Sequence, residues 1–286
     1  MQHIYVNLKR FDVPVELGGV NRLAPVENWA RHIVEAVQTE LQEYQDQADF
    51  SFFFPEAHLL AARSARRTEG LPRLGSQGLH CQDVAPGGNF GAFTTSLPAA
   101  AARSLGAELA LIGHCEERRA LGTGLALAGQ AELQGQVVNR LLQQEIEQAL
   151  NQGLDVLYCI GEQEAEQERW QEVLGAQLEQ GLGGCYDARR IRIAYEPIWS
   201  IGPGKQAADR AYIQKVARFV RDFTGGLEVV YGGGLKQDNA QMLASIPEIS
   251  GGLIALTRFS GEIGFYPEEF LDIVRLYLGQ KSAGSV

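Results

Sequence analysis

Residues 194–205 read Ala-Tyr-Glu-Pro-Ile-Trp-Ser-Ile-Gly-Pro-Gly-Lys. A short apolar run starting at Ile191 delivers one carboxylate, Glu196, and Pro197 follows at once. Beyond it lies a loop that carries Gly202 and Gly204. An acid is thus set at the C-terminal end of a strand, on the root of a loop able to close over a ligand. A carboxylate so placed takes a proton from carbon when water is excluded and its pKa is raised. Other polar groups stand at similar points. Asn7 and Lys9 follow the run Ile4 to Val6. His114 follows Leu109 to Ile112, and Gly232-Gly233-Gly234 follow Glu228 to Tyr231.

The elements that must position these groups are short apolar runs alternating with longer amphipathic stretches. Strands are expected at Ile4 to Val6, Phe50 to Phe54, Gly78 to Gln82, Leu109 to Ile112, Asp155 to Ile160, Ile191 to Tyr195, Glu228 to Tyr231 and Gly252 to Leu256. Helices are expected at Val26 to Tyr44, Glu132 to Gln152, Gln163 to Gln180, Ala208 to Phe223 and Pro267 to Leu278. In the second of these, Val138, Leu141, Leu142, Ile146, Ala149 and Leu150 recur at spacings of three and four, the mark of one helix face. Eight buried strands separated by helices predict a parallel sheet, and eight such units predict closure into a (β/α)8 barrel of the α/β class. No linker composition interrupts the chain, so one domain over residues 1–286 is expected, its last few residues a flexible tail. In such a barrel the loops after the strands build the active face, so the polar groups from four strand ends would meet over one mouth.

Composition bounds the chemistry. The 286 residues are 45% hydrophobic and 21% charged, ordinary for a soluble globular protein. A net charge of −10 argues against nucleic acid or an anionic membrane as partner, while leaving room for a local cationic site that holds a small anion. Cys81, Cys115, Cys159 and Cys185 are far apart, with no C-x-x-C pair, so their spacing suggests neither a disulfide framework nor a metal site. Together with an N-terminus unlike a secretory signal and no run long enough to span a membrane, this makes a cytoplasmic protein the expectation.

The Glu-Pro-Ile-Trp segment and its glycine loop resemble the catalytic strand and lid of the triosephosphate isomerase family. The likeness extends from Asn7 to about Leu276. Asn7-Leu8-Lys9 is similar to the family's Asn-x-Lys. Ile112-Gly113-His114-Cys115-Glu116-Glu117-Arg118-Arg119 resembles its Gly-His-Ser-Glu-Arg-Arg, with Cys115 at the serine and Glu117 either inserted or in place of the first arginine. The resemblance implies an aldose–ketose isomerase acting on a small phosphorylated sugar, with no metal and no organic cofactor. Glu196 would be the base. His114 would be a neutral imidazole that polarises the carbonyl, its pKa lowered by a helix starting just after it. Lys9 would be the cation that holds the anionic substrate, Asn7 a hydrogen-bonding partner near the substrate oxygens, and Glu116 the lysine's partner. Gly91-Ala92-Phe93-Thr94 resembles the family's intersubunit loop, which implies a homodimer with Thr94 near the neighbour's site.

The phosphate-binding elements depart from the pattern. Gly202 is retained in the lid, and Gly233 and Gly234 match two positions of the family's Gly-Gly-Ser. Ala255 and Leu256 stand where the family has a glycine pair, and the loop beyond is long. Arg258 is placed in sequence to replace the missing backbone donors. These changes leave triose phosphate and a four-carbon substrate such as a tetrulose phosphate both open. A barrel that binds a sugar phosphate without catalysis is the alternative from another class.

Overall fold

A computed structural model describes residues 1–67, 70–184, 187–201, 205 and 207–283. The eight strands are β1 (Gln2–Asn7), β2 (Ala48–Phe54), β3 (Arg73–Ser76), β4 (Leu109–Ile112), β5 (Asp155–Ile160), β6 (Ile191–Tyr195), β7 (Val229–Tyr231) and β8 (Ile249–Ile254). All pair in parallel in the order β1 to β8, and β8 closes on β1 through the register His3 to Gly251. The expected (β/α)8 barrel is therefore the fold. Around it run helices α1 (Val26–Leu41), α2 (Leu59–Ala65), α3 (Ala99–Leu105), α4 (Cys115–Leu127), α5 (Gln134–Asn151), α6 (Trp170–Leu182), α7 (Arg210–Thr224), α8 (Ala240–Ala244) and α9 (Pro267–Ala283). No described helix is long and apolar enough to cross a membrane. Residues 284–286, expected to form a flexible tail, lie outside the described residues.

The strands are apolar on both faces because both faces are covered. Alternate residues divide between two cores. Ile4 and Val6 of β1 pack outward under the helices, whereas Tyr5 joins Phe53, Leu109, Leu111, Leu157, Cys159, Ala194, Val230 and Leu253 in the barrel interior. This alternation positions the site. Two residues beyond inward Tyr5 comes Asn7, two beyond Ala194 comes Glu196, and two beyond Val230 comes Gly232. Continuing the pleat one step past each strand carries these residues onto the mouth.

The third strand corrects its expected place. It occupies Arg73–Ser76, not Gly78 to Gln82, and pairs with β2 over four residues and with β4 over two. Its sequence, Arg-Leu-Gly-Ser, offers one large apolar side chain, Leu74, so no periodic signal marks it. Ion pairing fixes its start, since Arg73 reaches Asp155 at 2.6 Å and Asp49 at 3.5 Å. The eighth strand also starts and ends earlier than expected.

Candidate active site

Glu196 is 2% exposed, with its carboxylate pointed at the start of α4. The backbone N–H of Cys115 donates to Oε2 at 2.9 Å, and Nε2 of His114 lies 3.2 Å from Oε1. Burial raises the Glu196 pKa to about 8, outweighing the Cys115 N–H and the charges of Lys9 and Arg118, which lower it. Glycines give the base its room. A Cβ on Gly232 would stand 2.7 Å from Cγ of Glu196, and one on Gly161 would stand 1.9 Å from its carbonyl oxygen.

His114 caps α4, as expected from the sequence. Its Nδ1 accepts the backbone N–H of Glu116 at 3.3 Å, so the proton of the neutral ring sits on Nε2, facing Glu196. Burial, with Lys9 second, pushes its pKa down to about 4. The imidazole is thus a neutral donor at neutral pH.

Lys9 completes the group. Its Nζ pairs with Oε1 of Glu116 at 2.7 Å. Its backbone takes φ 42, a left-handed conformation that side chains rarely adopt. Two side chains hold it there. Oδ1 of Asn7 accepts the Lys9 N–H at 3.1 Å, and Gln77 donates to the Lys9 carbonyl at 3.1 Å. Asn7, Lys9, Arg10, Gln77, Leu111, His114, Glu116 and Glu117 line a cavity of about 290 Å³ on this side of the mouth. Gln77 has no signal in the sequence; it lies just past a strand that the sequence does not reveal.

Glu117, either an inserted residue or a replacement of the family's arginine, accepts the Gly113 N–H at 2.5 Å and bonds to buried Glu145 of α5. Burial raises both carboxyls, and the charge of Glu117 raises Glu145 further, so Glu145 holds the proton of the pair and donates it to Glu117. Glu162 is fully buried, and its Oε1 accepts the Tyr195 hydroxyl at 2.9 Å, Trp199 Nε1 at 2.7 Å and the Tyr212 hydroxyl at 3.0 Å. This carboxylate anchors Trp199 and so the root of the loop after Glu196. Beyond that root, Gly202 lies outside the described residues.

The remaining expected residues divide. Gly233 packs against the Tyr231 hydroxyl, where a Cβ would come within 2.3 Å, and Gly234 takes φ 99. Ala255 and Leu256 follow β8 and are half-buried. Thr94 is exposed on the connection from β3 to α3, near Phe90, which is 90% exposed. Arg258 departs from its expected use. Its guanidinium is bound to Glu269 of α9 at 2.5 and 2.7 Å and stacks 3.9 Å from the Tyr266 ring centroid. Glu269 also accepts the Thr257 hydroxyl at 2.9 Å, and Arg258 bridges to Gly264, so the loop closes on itself. The nearby cation without an ion pair among the described residues is Lys236. It stands beside Gly234, with its Nζ 4.3 Å from the Phe259 ring centroid.

The triosephosphate isomerase family profile matches residues 26–276. The chain is 36% identical over 177 residues to the triosephosphate isomerase of Pelodictyon phaeoclathratiforme; the match covers 58% of this chain and 64% of that protein, a little under two thirds of its length. It is 32% identical over 213 residues to that of Prosthecochloris aestuarii, covering 71% of this chain and 74% of the relative. The crystal structure of triosephosphate isomerase from Bartonella henselae superposes with a TM-score of 0.69 at 25% identity, covering 96% of this chain and 98% of the other.

Proposed function

The chain belongs to the triosephosphate isomerase family, and on that premise we propose that it interconverts glyceraldehyde 3-phosphate and dihydroxyacetone phosphate. The Glu196 carboxylate takes the proton from the carbon beside the carbonyl. The electron pair moves into the carbonyl, giving an enediolate whose oxygen faces the His114 Nε2–H and the Lys9 ammonium. Glu196, now the acid, returns the proton to the neighbouring carbon. Water must be kept from the intermediate, and the burial of Glu196 supports this. The observation that carries this reading is the pairing of a buried carboxylate, raised to about 8, with a neutral imidazole whose Nε2 is 3.2 Å away. The imidazole is set in the neutral form a donor needs, and the carboxylate, acting through its ionised fraction, is a strong enough base to take a proton from carbon.

The anionic end of the substrate belongs on the opposite side, above Gly233 and Gly234. Lys236 is the cation placed to meet it, since Arg258 is held by Glu269. The half-buried Leu256 in place of a glycine narrows that end, and it favours a second reading within the same class, a phosphorylated sugar other than a triose. The active form is a homodimer, with the exposed connection bearing Thr94 reaching the neighbouring mouth.

An isomerase assay on glyceraldehyde 3-phosphate beside four- and five-carbon phosphosugars tests both readings. Efficient triose turnover supports the first, and preference for a longer sugar the second. Silence on all of them, with the protein folded, returns the chain to a binding role.

A further inference from the structure

We propose that His114, Cys115 and Glu196 form a transition-metal site of the zinc type, and that a bound thiophilic dication takes the place of substrate and silences the mouth. Nε2 of His114, Sγ of Cys115 and a carboxylate oxygen of Glu196 all lie within 4.8 Å of one another. The imidazole and carboxylate atoms are 3.2 Å apart, and Sγ is 4.0 Å from Nε2. Bond lengths of about 2.0–2.3 Å at tetrahedral zinc set its ligand atoms roughly 3.3–3.8 Å apart. The nitrogen–oxygen pair is therefore already at coordination spacing, whereas Sγ, 3.9 Å from Nδ1 and 4.0 Å from Nε2, reaches an ion on Nε2 by rotation about the Cys115 Cα–Cβ bond.

The surroundings complete the site. Three protein ligands leave a fourth position open, and of the three His114 borders the cavity of about 290 Å³, which gives access from the Lys9 side. Oε2 of Glu116 lies 3.7 Å from Nδ1 of His114. When Nε2 binds the ion, the ring proton moves to Nδ1, the long cap bond from the Glu116 N–H is given up, and this carboxylate accepts the proton in its place. Charge also balances. The thiol and the Glu196 carboxyl each release a proton to solvent, so thiolate, carboxylate and dication sum to zero in a buried place. Lys9, Arg119 and the positive end of α4 oppose a cation; Glu116, bound to Lys9 at 2.7 Å, offsets the nearest of these. A donor set of sulfur, imidazole and carboxylate selects zinc, cobalt or cadmium over magnesium and calcium. The sulfur distinguishes this chain from the family pattern, which has serine at that position.

Metal binding stands on this geometry alone; only its inhibitory consequence rests on the roles proposed above for His114 and Glu196. The test is a cobalt titration of the full chain, followed by absorption. The expected result is a thiolate-to-cobalt charge-transfer band with the intense visible bands of a tetrahedral site, saturating at one equivalent and displaced by zinc. Cys115→Ser abolishes the charge-transfer band, Cys81→Ser leaves it, and Glu116→Gln weakens cobalt binding about 10–100-fold. Far-UV circular dichroism confirms that the variants are folded. A weak octahedral spectrum, or a charge-transfer band that survives Cys115→Ser, overturns the proposal. Cobalt bands on a protein that shows no isomerase activity before metal is added would uphold the metal site and refute the proposed function. Full activity without the bands would do the reverse.

Discussion

On the side of the mouth built by β1, β4 and β6, side chains reach across strands to one another: Lys9 to Glu116, His114 to Glu196, and Cys115 through its backbone to Glu196. On the side built by β7 and β8, the polar groups close inward on their own loop, where Glu269 holds both Thr257 and Arg258. The first arrangement leaves reactive atoms desolvated and facing a common space. The second leaves a rim of glycine, Ala255 and Leu256 beside Lys236, a cation that stacks on Phe259 and has no ion pair among the described residues. Chemistry and substrate grip are thus separable in the proposed reading: the residues assigned to proton transfer keep the family pattern, while the rim assigned to the anion does not.

The largest break in this contrast comes at the chemical side. Glu196→Asp withdraws the base by one methylene and is expected to lower kcat on the order of 100-fold or more, with the fold intact by circular dichroism. Near-normal turnover would remove Glu196 from its role. The same carboxyl carries a pH signature. Its folded pKa of about 8 lies above that of an unfolded glutamate, so the folded state binds this proton more tightly. Its contribution to stability therefore falls as pH rises from the unfolded value towards about 8. Glu196→Gln is expected to raise the thermal midpoint at pH 9 and to leave it unchanged at pH 4. In kinetics, kcat/KM of the unaltered protein should climb with pH up to about 8, because only the ionised base acts. A profile flat from pH 6 to 9 would contradict the burial argument.

Smaller effects are expected on the rim. Lys236→Met removes one charge-assisted contact, worth about 2 kcal/mol. It should raise KM for the phosphorylated substrate roughly 30-fold, with kcat retained. An unchanged KM would leave Lys236 as a surface residue stacked on Phe259. Arg258→Gln is expected to leave KM alone. It should lower the thermal midpoint by no more than about 2–4 °C, since an exposed ion pair contributes little in a chain of this size. If Arg258→Gln instead weakens substrate binding, the loop opens in the complex and the contrast between the two sides fails.

The chemical side was the legible one, for a physical reason. Asn7, His114 and Glu196 sit at or just past the ends of strands that are apolar enough to recognise, and the pleat then decides which way they face. β3 escaped because Leu74 is its one large apolar side chain, and with it went Gln77, which holds the Lys9 backbone. Helices α2, α3 and α8 are too short to show a period. Arg258 was read as a free cation because its partner, Glu269, stands eleven residues on, across a loop whose path no local pattern dictates. The cysteines, scattered in sequence, gave no hint that the backbone N–H of Cys115 meets Glu196 from 81 residues away.

The most direct test follows the proton. The protein is run on glyceraldehyde 3-phosphate in deuterium oxide, and the ketose phosphate product is examined by NMR. Exchange through Glu196 predicts deuterium at the carbon that receives the proton, with both product and label lost in Glu196→Gln. Product that forms without solvent deuterium, or label that persists in Glu196→Gln, would contradict the role of Glu196 as the base.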